Sequence, residues 1–218
     1  LVQTPVITEK ENLKVKTSKI DVSGTGTAHI DMRASFYNNW FSEFLGLYLR
    51  TERERQDYAN KELFSMPLNI IEIETINTSD KSPGGQINIR AEAPSCGTKV
   101  GNYLLLDPFL FINLPGFNLA QKTRQQDFYV PYGYSLVDTL HYQLSPQAIV
   151  DELPANSNVE SCIGQYAVQY IKTGTQVACV SSFIWFGGTH PKENEEEIVN
   201  FFSQINNIKK QRVIINAN

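Results

Sequence analysis

The run GQYAVQYIKTGTQVACVSSFIWF, residues 164 to 186, constrains this chain more than any other stretch. Two alternating segments rich in β-branched and aromatic residues flank Lys172-Thr173-Gly174-Thr175, a short glycine-containing turn, and that pattern predicts a β-hairpin. Counting outward from the turn groups Tyr166, Val168 and Tyr170 with Val177, Cys179 and Phe183 on one face. Ala167, Ile171, Ala178, Val180 and Ile184 fall on the other. The same count sets Cys179 opposite Val168 and Cys162 near Trp185. Apolar residues on both faces place the hairpin near the centre of a sheet.

Period-two alternation recurs along the chain. Leu13, Val15, Ile20 and Val22 precede the break SGTG at 23–26, and AHIDMRASF alternates after it, so a hairpin is expected there with His29, Asp31, Arg33 and Ser35 on its solvated face. LNIIEIETI and QINIRAEA flank NTSDKSPGG as a long-looped hairpin. YLLLDPFLFINLP reads as a short buried strand, a proline break and a second apolar piece. The period changes to that of a helix twice. Trp40, Phe41, Phe44, Leu47 and Tyr48 mark a helix from Asn39 to about Leu63 whose later, charged turns face solvent. Ile198, Phe201, Phe202, Ile205 and Ile208 mark another from about Pro191 to Asn207, with glutamates at its positive end and Lys209, Lys210 and Arg212 beyond its negative end. VIIN at 213–216 forms a closing strand. The expected architecture is mainly β, with antiparallel sandwich-like modules that each carry one helix. The first module covers 1–125 and the second 126–218, and the polar stretch PGFNLAQKTRQQDF separates them.

A formal charge of -4 and a pI near 5.4 leave no basic surplus for nucleic acid or anionic lipid. No apolar run reaches the roughly 18 residues that span a bilayer. The three cysteines, Cys96, Cys162 and Cys179, show neither CxxC spacing nor an even-numbered disulfide framework. Nucleophilic catalysis needs a thiolate beside an oriented histidine, for which Cys96, His141 and Asp138 or Asp151 are the nominal members. Cys96 lies among turn formers with no helix after it to lower its pKa, so it is expected to be an ordinary, accessible loop thiol, while Cys179 is expected buried. His141 reads as a residue of a strand surface sharing a side with Thr139 and Gln143. His190 reads as a residue near the cap of the second helix, and the three histidines have no metal-ligand spacing. SGTG, SPGGQ and FGGTH are turns, since none matches a phosphate-binding glycine pattern. No residue is assigned a catalytic, metal or cofactor role. Trp40, Trp185 and the ten tyrosines leave a sugar-stacking surface open as an alternative.

The second half carries a resemblance. PYGYSLVDTLHYQLSPQAIVDELP, IGQYAVQYIKTGTQVACVSS, EEEIVNFFSQINN and VIIN, in that order, resemble the C-terminal β-rich region of bacterial transglutaminase-like proteins. Asp151, Leu153 and Pro154 match its Glu-x-Leu-Pro element in part, and Gly164 with Tyr166 match its Gly-x-Tyr hairpin. Leu144-Ser145-Pro146 departs from its Leu-Pro element. The resemblance covers about residues 128–218, and residues 1–127 only in outline. It implies a non-catalytic accessory region that partners an upstream papain-like Cys-His-Asp core of an exported, cell-envelope or periplasmic protein, or else contacts an envelope protein or glycan. None of the core's catalytic residues maps onto this chain. The alternative of another class is a carbohydrate-binding β-sandwich module.

Overall fold

Alternating segments become strands in a computed structural model that describes residues 7–78, 83–112, 114 and 126–216. The first hairpin pairs β1 (Leu13–Val22) with β2 (Ala28–Tyr37), and Gly26, at φ 89°, supplies the left-handed residue in its turn. Next come a 3-10 turn, helix α1 (Phe41–Tyr48) and helix α2 (Glu52–Tyr58), and then β3 (Asn69–Asn77) and β4 (Gly84–Ala93). The chain continues through β5 (Gly97–Val100), β6 (Tyr103–Leu106), β7 (Phe128–Val130), β8 (Tyr134–Gln143), β9 (Ile149–Glu152) and β10 (Ser157–Ser161). The expected hairpin is β11 (Gly164–Thr173) with β12 (Gln176–Trp185), but it lies toward one edge of its sheet and not near the centre, since only one of its apolar faces is buried; β13 (Gly188–His190), α3 (Glu195–Ile208) and β14 (Val213–Asn216) follow.

The fold is mainly β, as expected. One eight-stranded sheet runs β10-β11-β12-β8-β1-β2-β4-β3, and a four-stranded sheet runs β5-β6-β14-β9. Among the described residues all pairings are antiparallel except one: β1 and β8 lie parallel, with Lys16 beside Asp138 and Thr17 beside Thr139. Strands from before residue 112 fill one half of the large sheet, strands from after residue 126 fill the other, and this parallel seam joins them. The expected module boundary falls largely on residues outside those described. Residues from both sides of it contribute to one hydrophobic cluster, from Ile20 and Phe36 to Phe183 and Ile215.

One face of the large sheet is apolar and covered. Phe201 and Phe202 of α3 pack on Phe183 and Trp185 of β12, at ring separations of 6.3 and 5.6 Å, while α1 lies over β2, β3 and β4. The buried positions of α3 are Ile198, Phe201, Phe202, Ile205 and Ile208, the stripe expected from its periodicity. Gly85 on β4 admits Phe44 of α1 so closely that a Cβ there would overlap the ring. Isoleucine, alanine and aromatic residues at alternate positions thus seal the inner face, and the intervening residues point outward.

The single helix expected from 39 to 63 is broken after α1, and α2 runs on through a π-helical turn over Ala59–Leu63. Leu49 and Arg50 leave α1, and Thr51 starts α2 with a capping box: its hydroxyl oxygen accepts from the Glu54 amide while its own amide donates to the Glu54 carboxylate at 2.9 Å. Arg55 reaches back to donate to the carbonyls of Leu47 and Tyr48, at 3.0 and 2.8 Å, closing the end of α1. Replacing Thr51 with alanine is expected to cost about 1 kcal/mol. A thermal melt of Thr51→Ala should show the midpoint falling by about 2–4 °C.

Candidate functional site

Many outward-facing strand positions add polar side chains to one broad concave face, and Ile171 and Ala178 add apolar ones. Thr17, Lys19, Asp31, Arg33, Glu72, Arg90 and His141 help to line a depression of about 950 Å³ that crosses the outer side of the large sheet. Three cations, Lys19, Arg33 and Arg90, face three anions, Asp31, Glu72 and Glu74. Arg90 is paired with Glu72, and the Asn88 amide donates to Glu74 at 2.9 Å. His141 is exposed in this wall, beside Lys19 across the seam and Ala178 on β12. It belongs to a polar sheet face, as its strand position indicated.

The nominal cysteine site does not assemble. Asp138 and His141 are three positions apart on β8, so their side chains leave opposite faces of the sheet. Asp138 points inward and is 2% exposed, whereas Asp151 is exposed on β9. Cys96 contradicts the expectation of an accessible loop thiol: it is fully buried. Its amide donates to the Gly26 carbonyl at 2.8 Å and its thiol approaches the same oxygen at 3.1 Å, which tucks the loop under the β1–β2 turn. Burial pushes that thiol up to about 11. Cys179 is also fully buried, and burial, then the charge of Asp138, push it up to about 12. Cys162 is the half-buried one, in the turn between β10 and β11. His190 does not sit at the helix cap: it is buried on β13, with its ring Nε2 3.1 Å from the Phe186 carbonyl oxygen. His29 is exposed and lies 3.4 Å from Glu92. Among the described residues no group of three or more His, Cys, Asp and Glu side chains could hold a metal ion.

Sequence reading missed a set of buried charges on the inner face. Lys16 is ion-paired with Asp138 at 2.9 Å, and its ammonium also donates to the carbonyls of Leu63 and Phe111, both at 3.2 Å. Asp138 Oδ1 makes this ion-pair contact without an aligned hydrogen bond among the described residues. Lys14 donates to Glu43 at 2.8 Å and lies over the rings of Trp40 and Phe36, 4.9 and 5.2 Å from their centres. Desolvation lowers the pKa of Lys14, with Glu43 opposing it. Tyr58 bonds to Glu43, and burial followed by that carboxylate raises its phenol pKa. A signal for this arrangement existed: Lys14 and Lys16 share parity with Ile20 and Val22, so burying the latter pair on a regular strand draws both lysines inward.

These charges line a small cavity of about 180 Å³. Beside it, sharing Trp40, Glu43 and Tyr134, opens a groove of about 500 Å³ formed by the start of α1, the β7–β8 connection and the end of β12. Five aromatic residues line the groove: Trp40, Tyr129, Tyr132, Tyr134 and Trp185. Trp40 meets Tyr134 edge-on at 83°, and Tyr134 meets Trp185 at 39°, with ring centres 5.1 and 5.9 Å apart. The rings therefore form crossed walls and not one flat platform.

The fold and its surfaces define a mainly β chain with a broad sheet face of mixed polarity and no assembled cysteine nucleophile among the described residues. The profile of a domain of unknown function with a solved structure, DUF3858, matches residues 102–215, just over half of the chain, and the chain belongs to that family. No curated protein and no solved structure matches it.

Proposed function

We propose that this chain is a non-catalytic accessory or interaction region of an exported transglutaminase-like protein, and that its concave sheet face docks the papain-like Cys-His-Asp domain of the same polypeptide. The observation that carries the proposal is that face itself. It spans strands from both halves of the large sheet, a breadth suited to a folded domain. Its charges balance, three of each sign, which suits a protein surface of mixed polarity better than a polyanion. The burial of Cys96 and Cys179 supports a role without covalent catalysis. The resemblance of residues 128–218 supplies the partner's identity and the periplasmic or envelope location.

The codons preceding Leu1 provide the first test, since they should encode a Cys-His-Asp domain. That domain, produced separately, should bind the isolated 218-residue chain in calorimetry. The double reversal Lys19→Glu with Arg33→Glu should weaken binding by about ten-fold or more. The isolated chain should incorporate no dansylated amine into a glutamine-bearing protein. An upstream sequence lacking such a domain, or catalysis by the isolated chain itself, would sink the proposal.

A further inference from the structure

The aromatic groove is separate from the concave face, and the docking role leaves it unused. Tyr129 and Tyr132 are 71% and 68% exposed, so neither ring is there to fill the core. Tyr129 stands on β7 and Tyr132 in the short connection from β7 into β8, beside the half-buried rings of Trp40, Tyr134 and Trp185. A groove of about 500 Å³ lies within the range of small-ligand sites.

The polar groups at the groove select the chemistry of an occupant. Asn12 is 3% exposed, and its amide nitrogen donates to the Gly133 carbonyl at 2.8 Å, which fixes the side chain and leaves Oδ1 as an acceptor without a partner among the described residues. Glu43 adds a carboxylate to the same groove. Ser42, by contrast, already donates its hydroxyl to the Asn39 carbonyl at 2.8 Å. The indole N–H groups of Trp40 and Trp185 are buried donors without a partner among the described residues, so the groove asks for a ligand that both donates and accepts. A cation would supply donors, but the ammonium of Lys14 already occupies the cation position over Trp40 and against Glu43, and a second cation would meet its charge. An anion would meet the Glu43 carboxylate. The carbonyls of a polyproline segment would meet the two indole N–H groups, but it has no prolyl N–H to donate to Asn12 and Glu43. A ligand that is neutral, rich in hydroxyl donors and carries an apolar C–H face against aromatic rings satisfies every one of these conditions.

We propose that the groove between Trp40, Tyr129, Tyr132, Tyr134 and Trp185 binds a neutral saccharide, with sugar faces on the rings and hydroxyls donating to Asn12 and Glu43. The site lies on a surface distinct from the concave sheet face, so the saccharide role stands or falls independently of docking.

The chain's two tryptophans both line this groove, so their fluorescence reports on its occupancy directly. The native chain is titrated to millimolar concentration with chitohexaose, cellohexaose, xylohexaose and mannohexaose, and separately with decaproline and spermidine. At least one oligosaccharide should shift the emission saturably. Tyr129→Ala and Tyr132→Ala, both at exposed positions and checked for folding by near-ultraviolet circular dichroism, should each weaken that binding by about ten-fold or more. Arg33→Glu on the concave face should leave it unchanged. The proposal is overturned if no oligosaccharide shifts the emission, if decaproline or spermidine does so in their place, or if both tyrosine variants bind as the parent does.

Discussion

Replacing Asp138 with alanine is expected to destabilise the fold by about 3–5 kcal/mol, because it removes one partner of a buried ion pair and leaves the other in place. Lys16 would keep the Leu63 and Phe111 carbonyls at 3.2 Å, but its side chain is only 6% exposed and would have lost its counter-charge. The pair spans the parallel β1–β8 ladder, where Lys16 and Asp138 are direct neighbours, so it lies on the seam between the two halves of the large sheet. A slip of that ladder by two residues would keep the same faces inward but would set Lys16 beside Leu136 or Leu140. The ion pair thereby favours one register through the penalty attached to the others. Lys16→Met combined with Asp138→Leu should recover most of the stability lost by Asp138→Ala, since no buried charge remains unpaired. Urea unfolding of the parent, the single variant and the double variant measures both effects. Equal loss in the single and double variants would show that packing and not charge compensation dominates at the seam.

The second large effect is a contrast among thiols. At pH 8, iodoacetamide should modify Cys162 in the native protein and leave Cys96 and Cys179 unmodified, with all three reacting in guanidinium chloride. Cys96 and Cys179 are both 0% exposed and become reachable only when the core opens, which for a domain of ordinary stability protects them by about a thousand-fold or more. Cys162 is half-buried, and burial, then the neighbouring Glu197 carboxylate, hold its thiol above the ordinary value, so its labelling should be slow and should rise with pH. The two buried thiols also link folding to pH. An unfolded thiol ionises near 9.0, whereas folded Cys96 and Cys179 are pushed up to about 11 and about 12. Their contribution to stability is therefore fully present below pH 9.0 and is lost progressively as pH rises toward 12, where the unfolded state has already released these protons. Urea midpoints should fall across that window, less steeply in Cys179→Ala after allowance for its lower starting stability. Native labelling of Cys96 as fast as that of Cys162 would contradict the buried position.

The hairpin β11–β12 shows how far local pattern reaches. Its faces were legible: Tyr166, Val168, Tyr170, Val177, Cys179 and Phe183 are all buried together. Its register was not, because the turn closes on Gly174 and Thr175, with Thr173 paired to Gln176 and Cys179 beside Tyr170 instead of Val168. A shift of two residues leaves side-chain parity untouched, so the apolar pattern cannot detect it. The apolar stripe of α3 was legible for the same reason that the faces were. The split between α1 and α2 was written in TERE, a capping-box sequence, but a continuous helical pattern masked it. Strands β5 and β10, with four and five residues, are too short for alternation to announce them.

Of the candidate surfaces, the sequence disclosed the polar strand positions but not their assembly into one concave face, and it disclosed the aromatic residues but not their groove. Trp40, the tyrosines of β7, β8 and their connection, and Trp185 come from distant segments that only the tertiary fold brings together. The sequence by itself determined which side chains share a face, because backbone geometry fixes a period of two in a strand and 3.6 in a helix whatever surrounds them. The tertiary structure decided which face turns inward. In β1, Leu13 and Val15 argue for one face and Ile20 and Val22 for the other, and the fold buries the second. That choice carries Lys14 and Lys16 into the interior, and it is stable because Glu43 of α1 and Asp138 of β8 meet them there. No local pattern in β1 contains those carboxylates, and without them the desolvation of two ammonium groups would forbid the face that the protein adopts.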